Sequence, residues 1–201
     1  MACAAAVVAM CSVAGTDWVD NGFETVDIGY RATVSGGEAA DATGYYSAIG
    51  GGNSNSAFST YAVIAGGHKN YIDSEADGSF IGGGGHPVTS SPKSGHYIVG
   101  DFATIVGGKQ NTIKQPAAFI GGGFANVVDS PFSFVGGGQN NVVNMPGIGL
   151  VLGGGQDNNA TGQQSVLVGG VGNTVHARFA AIGGGKDNTV TGEHGVVAGG
   201  P

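Results

Sequence analysis

Residues 117–143 read AAFIGGGFANVVDSPFSFVGGGQNNVV, and one phrase occurs in them twice. Ser133-Phe134-Val135-Gly136-Gly137-Gly138 repeats Ala118-Phe119-Ile120-Gly121-Gly122-Gly123, and Asn141 repeats Asn126, each fifteen residues on. Followed outward, the phrase recurs with starting points at Ser35, Gly50, Ala65, Gly82, Val106, Gly121, Gly136, Gly153, Val168, Gly183 and Ala198. The spacings are 15, 15, 17, 24, 15, 15, 17, 15, 15 and 15 residues, so a 15-residue unit recurs eleven times over residues 32–201. A fixed period of this size is the mark of a stacked-repeat architecture, in which one unit is too small to close a core of its own. The two-residue excesses, and the nine-residue excess near 85–101, read as loops budding from turns.

Each column of the repeat has a physical reading. The residue before the starting point is aliphatic throughout: Val34, Ile49, Ile64, Ile81, Ile105, Ile120, Val135, Leu152, Leu167, Ile182 and Val197. Two residues earlier stands Ala, Ser or Gly, except at Leu150. Small-x-aliphatic at period two describes a strand with one face inward. The starting point is followed by a glycine pair in every unit, as in Gly51-Gly52, Gly122-Gly123, Gly137-Gly138 and Gly184-Gly185. An obligatory pair means positive φ or an approach too close for a Cβ. Five residues after the start, Asn fills eight units: Asn55, Asn70, Asn111, Asn126, Asn141, Asn158, Asn173 and Asn188. Asn accepts left-handed turn geometry, and stacked copies can form a side-chain ladder. Ile72, Ile113, Val128, Val143, Val175 and Val190 give a second inward column. Pro116, Pro131 and Pro146 recur at positions where a strand ends and no ladder donor is needed.

These columns predict an all-β fold, a parallel β-solenoid of about 15 residues per coil. Stacked at roughly 4.8 Å per coil, it makes a rod on the order of 50 Å long. Residues 1–31 lie outside the repeat and form a separate N-terminal segment; residues 32–201 form the repeat domain. Glycine (42 of 201 residues) never holds a three-residue period and there are only six prolines, which excludes collagen.

Each coil buries few apolar side chains against the cost of ordering a glycine-rich unit, so a lone rod is marginal. The residue between the two inward positions should face outward. Yet it reads Thr33, Ala48, Val63, Phe80, Thr104, Phe119, Phe134, Val151, Val166, Ala181 and Val196, without a charge. An uncharged outward column is a buried interface, and association of identical chains about an axis covers it most simply.

The segments YYSAIGGGNSN, SFIGGG and FAAIGGGKDNTVTG resemble the head repeats of trimeric autotransporter adhesins. They are still more similar to the GGGxxN-type variants of that repeat in phage and other bacterial structural proteins. The resemblance spans about residues 44–200, with a unit slightly longer than the family's. It implies a left-handed parallel β-roll in which three chains pack around a common axis.

Composition argues against several functions. Seven basic residues against fourteen acidic ones, a net charge of −7, cannot neutralise a run of phosphates, so no nucleic acid is expected as partner. The apolar run MACAAAVVAMCSVA (residues 1–14) is too short to span a bilayer and lacks a preceding Lys or Arg. It reads as a packed apolar segment, with Cys3 and Cys11 as small hydrophobes and no membrane partner. The glycine runs match neither GxxxxGK[ST] nor a GxGxxG that opens a helix. Aspartates share no column as a calcium-binding roll requires, and the period is not that of hexapeptide acyltransferases. An ice-binding Thr ladder is absent too, because the candidate column mixes Ser56, Tyr71, Thr112 and Val127. His68, His86, His96, His176 and His194 have no matched carboxylate, and Asp73, Glu75 and Asp77 read as a solvated turn. The expectation is a protein that is not an enzyme, with no catalytic residue, metal or cofactor.

The function expected is that of a virion structural protein at the virion surface. It would be a homotrimeric phage capsid decoration (cement) protein or short fibre, with the major capsid protein or another virion protein as partner. The alternative is a trimeric adhesin head or tail fibre that binds a host or cell surface, placing it extracellularly or on the cell surface. Segment 1–31 holds Trp18, Phe23 and Tyr30 and would be the docking piece, because buried aromatics commonly anchor interfaces.

Overall fold

The computed structural model describes residues 19–20, 26–27, 29–85 and 94–200. Among them run twenty-three strands of two or three residues, from β1 (Val19–Asp20) and β2 (Val26–Asp27) to β22 (Thr189–Val190) and β23 (Val196–Val197). The odd-numbered strands form one twelve-stranded sheet in chain order, and the even-numbered strands an eleven-stranded sheet. Every pairing is parallel and joins equivalent positions of successive coils. Thus β13 (Phe119–Ile120) pairs with β15 (Phe134–Val135), Phe119 opposite Phe134 and Ile120 opposite Val135. A third line of bridges runs Lys109, Phe124, Gln139, Gln156, Val171, Lys186. The molecule is therefore an all-β parallel β-solenoid, and the spatial register is the phase of the sequence repeat. The ladders begin within segment 1–31, where β1 pairs with β3 (Thr33–Val34) and β2 with β4 (Asp41–Ala42).

Strands this short present one residue outward and one inward. From Val34 to Ile182 the aliphatic column of the first sheet is fully buried, including Ile49, Ile64, Ile81, Ile105, Ile120, Val135, Leu152 and Leu167. The second sheet sends Ile72, Ile98, Ile113, Val128, Val143, Val175 and Val190 into the same core. The small column is buried between them, with Ala32, Ala62, Ala103 and Ala118 all closed to solvent. Leu150 fills that column where the preceding corner, 144–149, carries two extra residues; a Cβ on Gly147 would overlap its side chain. The other two-residue excess falls at the same corner, 73–78, so both leave the ladders undisturbed.

The coil stays compact through two left-handed corners. Seventeen residues other than glycine have φ between +51° and +59°. One set precedes the small column (Tyr46, Tyr61, Phe102, Ala117, Phe132, Gln164, Phe179); the other precedes the Asn column (Ser54, Lys69, Gln110, Ala125, Asn140, Asp157, Asp187). The left-handed position is thus one residue before the asparagines rather than on them. The reason lies in the amides. Strand amides bond to the following coil, as Phe119 N–H does to the Ser133 carbonyl (2.9 Å), whereas corner amides point back. Ala125 N–H reaches the Lys109 carbonyl (2.9 Å) and Phe132 N–H the Pro116 carbonyl (3.1 Å). A left-handed residue costs roughly 1–2 kcal/mol, and the reversed bond offsets that by satisfying a carbonyl of the coil before.

The nine-residue insertion is narrower than the sequence suggests. Residues 97–98 form β10 (Tyr97–Ile98), which pairs with β8 (Tyr71–Ile72) and β12 (Thr112–Ile113). The chain is back in register by then, and residues 86–93 lie outside the described residues.

Candidate functional site

Two features stand out on this frame: a polar seam inside the rod and an apolar face outside it. The seam is the Asn column, buried from Asn55 to Asn173. Asn126 Nδ2 donates to the carbonyl of Gly122 in its own coil and to that of Gly138 in the next, both at 3.0 Å. Its Oδ1 accepts the backbone N–H of Asn141 (3.0 Å). The same pattern repeats at Asn111, Asn158 and Asn173. Buried amides on both strands of a turn are thereby satisfied without water.

The glycine pair serves this seam unequally. Gly52, Gly123, Gly138 and Gly185 have φ near +90°, and a Cβ on any of them would overlap the carbonyl of the glycine one coil on. On Gly123 it would also lie 2.8 Å from Asn126 Nδ2. The preceding glycines Gly51, Gly122, Gly137 and Gly184 have φ between +155° and +158°, at the edge of the range that other residues avoid, but a Cβ on Gly122 meets nothing closer than 3.8 Å. Only the second glycine is demanded by close approach.

The apolar face is the outer side of the first sheet. Its register aligns Phe80, Thr104, Phe119, Phe134, Val151, Val166, Ala181 and Val196 one above another. The rings of Phe119 and Phe134 stack in parallel, 5.2 Å apart. Phe80, Phe134, Val151, Val166 and Val196 are exposed in the single chain. Beside this column runs a ridge of left-handed corner residues, where Tyr61, Phe102 and Phe132 are 60–70 % exposed. At one end Tyr46 stacks on Tyr61 (5.1 Å) and meets Tyr30 edge-on (5.6 Å). The ridge is a surface feature that repeat reading passes over, because its column is aromatic in only part of the units. Its signal was the recurrence of an aromatic residue one position before Ala or Ser.

Of the predicted docking residues, Trp18 and Phe23 lie outside the described residues. Tyr30 is half-exposed, with the Arg31 guanidinium over its ring at 5.3 Å. The predicted core and glycine positions line the interior and the seam. Several charged and imidazole groups are paired locally. Asp73 accepts from the Tyr97 hydroxyl (2.9 Å) and the Ser74 amide, and Asp77 accepts from the Thr60 amide (3.0 Å) while its own N–H reaches Asp101 Oδ1 (2.8 Å). His176 Nδ1 meets Thr161 Oγ1 at 2.9 Å, and His194 stacks on Phe179 at 5.2 Å. Among the described residues no three His, Cys, Asp or Glu side chains gather as a metal site would require, and no helix is long and apolar enough to cross a membrane.

His96 is the departure inside the seam. It occupies the Asn position of its coil, fully buried, accepts the Asn111 N–H on Nδ1 (3.1 Å), and donates its own N–H to Asn70 Oδ1 (3.0 Å). Burial lowers its pKa to about 4, against the opposite pull of the backbone of Gly108, Asn111 and Gly83. No protein-family model matches the chain, and no curated protein is similar enough to count as a relative.

Proposed function

We propose that this protein is a structural rod, not an enzyme, that self-associates through the outer face of its first sheet. The observation that carries the reading is the uncharged column from Phe80 to Val196, in register along the rod and exposed in one chain at Phe80, Phe134, Val151, Val166 and Val196. An apolar stripe of that length is a contact surface awaiting a partner. A second copy presents the same stripe at the same rise, so identical chains match it rung for rung. Three copies about an axis is the arrangement that the repeat resemblance favours, as a left-handed roll. On the same resemblance the rod works at the surface of a virion, as a capsid decoration protein or short fibre, docked through its amino-terminal segment.

The exposed ridge of Tyr61, Phe102 and Phe132 favours one other reading, an adhesin that binds a surface through its side. Both are tested with the full chain and a variant that lacks residues 1–18, which spares β1, and carries Phe23→Ala and Tyr30→Ala, so that none of the three expected docking aromatics remains. Each is added to undecorated particles and the bound mass measured. Docking through the segment predicts a trimer by light scattering that loses particle binding on truncation. Equal binding by both chains would move the assignment to the adhesin, and a monomeric full chain would overturn self-association.

A further inference from the structure

The seam of asparagines is chemically inert to pH everywhere except at one rung. An asparagine carries its acceptor and donor on different atoms at any pH, so each Oδ1 is always open to the next amide. His96 reproduces this only as the neutral imidazole with Nδ1 unprotonated, because that nitrogen accepts the Asn111 N–H at 3.1 Å. Nε2 is buried beside the backbone of Gly83 and Gly108, the counterparts of the glycines that Asn111 bonds, but closes no hydrogen bond of good geometry. The His96 side chain thus closes a single hydrogen bond where that of Asn70 closes three and that of Asn111 four, and this one bond depends on protonation state.

We propose that His96 makes its rung an acid-releasable joint, at which protonation of Nδ1 unlinks the coil of β10 from that of β12. A proton on Nδ1 faces the Asn111 N–H donor-to-donor and places a charge in a seam with no counter-charge. The neighbours above and below, Asn70 and Asn111, do not titrate. Among the described residues, the titratable ones on the same turn are His68 and Lys69 one coil before and Lys109 one coil after; on the adjoining strands they are Tyr71, Tyr97 and Asp73. None of them acts on the titration of His96, which is governed by burial and backbone alone. The sign follows from linkage. An opened chain takes up the proton near the ordinary histidine pKa of 6.5, whereas the closed rung refuses it until about pH 4. Closure is therefore favoured fully above pH 6.5, and this advantage is lost as pH falls from there towards 4. The joint lies just past the 86–93 insertion, so release there would divide the rod between Gly85 and β12.

The test is His96→Asn, which installs the residue that eight other coils already carry. Thermal unfolding of the full chain and the variant is compared at pH 7 and pH 4.5. The wild type should lose about 5 °C or more beyond what the variant loses, with the variant at least as stable at pH 7. Parallel losses would overturn the proposal. Should the variant not fold, imidazole and amide resonances of the wild-type chain decide the matter. His96 should stay neutral to near pH 4, with the Asn111 amide exchanging faster as it titrates. Titration near 6.5 with an undisturbed Asn111 amide would overturn it.

Discussion

Asn126 Oδ1 accepts two hydrogen bonds from Asn141, the backbone N–H at 3.0 Å and Nδ2 at 3.1 Å. A single side-chain oxygen thus couples adjacent coils through both main chain and side chain, and the coupling passes on to Asn158 in the same way. Asn126→Ala would leave the buried Asn141 N–H and the Gly122 carbonyl without these partners. The expected cost is about 3 kcal/mol, read as a shift of the denaturant midpoint at unchanged slope. A loss under about 0.5 kcal/mol would show that water replaces the ladder.

The glycine pair permits a paired test within one coil. Gly108 has φ +93°, and a Cβ there would overlap the Gly123 carbonyl, whereas a Cβ on Gly107 meets nothing nearer than 4.0 Å. Gly108→Ala should therefore cost roughly 3 kcal/mol or more through strain and clash. Gly107→Ala should stay within about 1 kcal/mol of wild type. Equal melting temperatures for the two variants would refute the distinction.

Ile120 is fully buried in the middle of the aliphatic column. Ile120→Asp places a carboxylate among apolar neighbours with no cation in reach, at a cost of several kcal/mol, of the order of 4 or more. Expression should yield insoluble or unfolded chain at neutral pH, assessed by circular dichroism. Ile120→Val, which keeps the shape, should cost about 1 kcal/mol.

The face and the core are separable by mutation. Phe134 is 41 % exposed in the single chain, although its stacking partner Phe119 is more covered. Phe134→Asp should leave the fold of a chain intact and abolish its self-association, because the charge falls in the contact and not in the core. Sedimentation velocity of wild type and variant reads the outcome directly. An unchanged oligomer would place the contact elsewhere on the rod.

The sequence by itself determined the parallel stacking, the inward columns and the register. The repeat period and the coil are the same length, so Ile120 could only lie beside Val135. It marked the glycine pair and the asparagines as fixed positions as well, but only the structure showed that close approach holds the second glycine and not the first. Only the tertiary structure decided how the turns are made. Left-handed residues such as Ala125 and Phe132 carry no common side chain, because their role is to reverse an amide, which the backbone of any residue can do. It also decided that His96 belongs to the asparagine seam. The insertion hides the phase of that coil in the sequence, and an imidazole takes the place of a carboxamide only once its Nδ1 is seen to accept the Asn111 N–H while the His96 backbone N–H reaches Asn70 Oδ1.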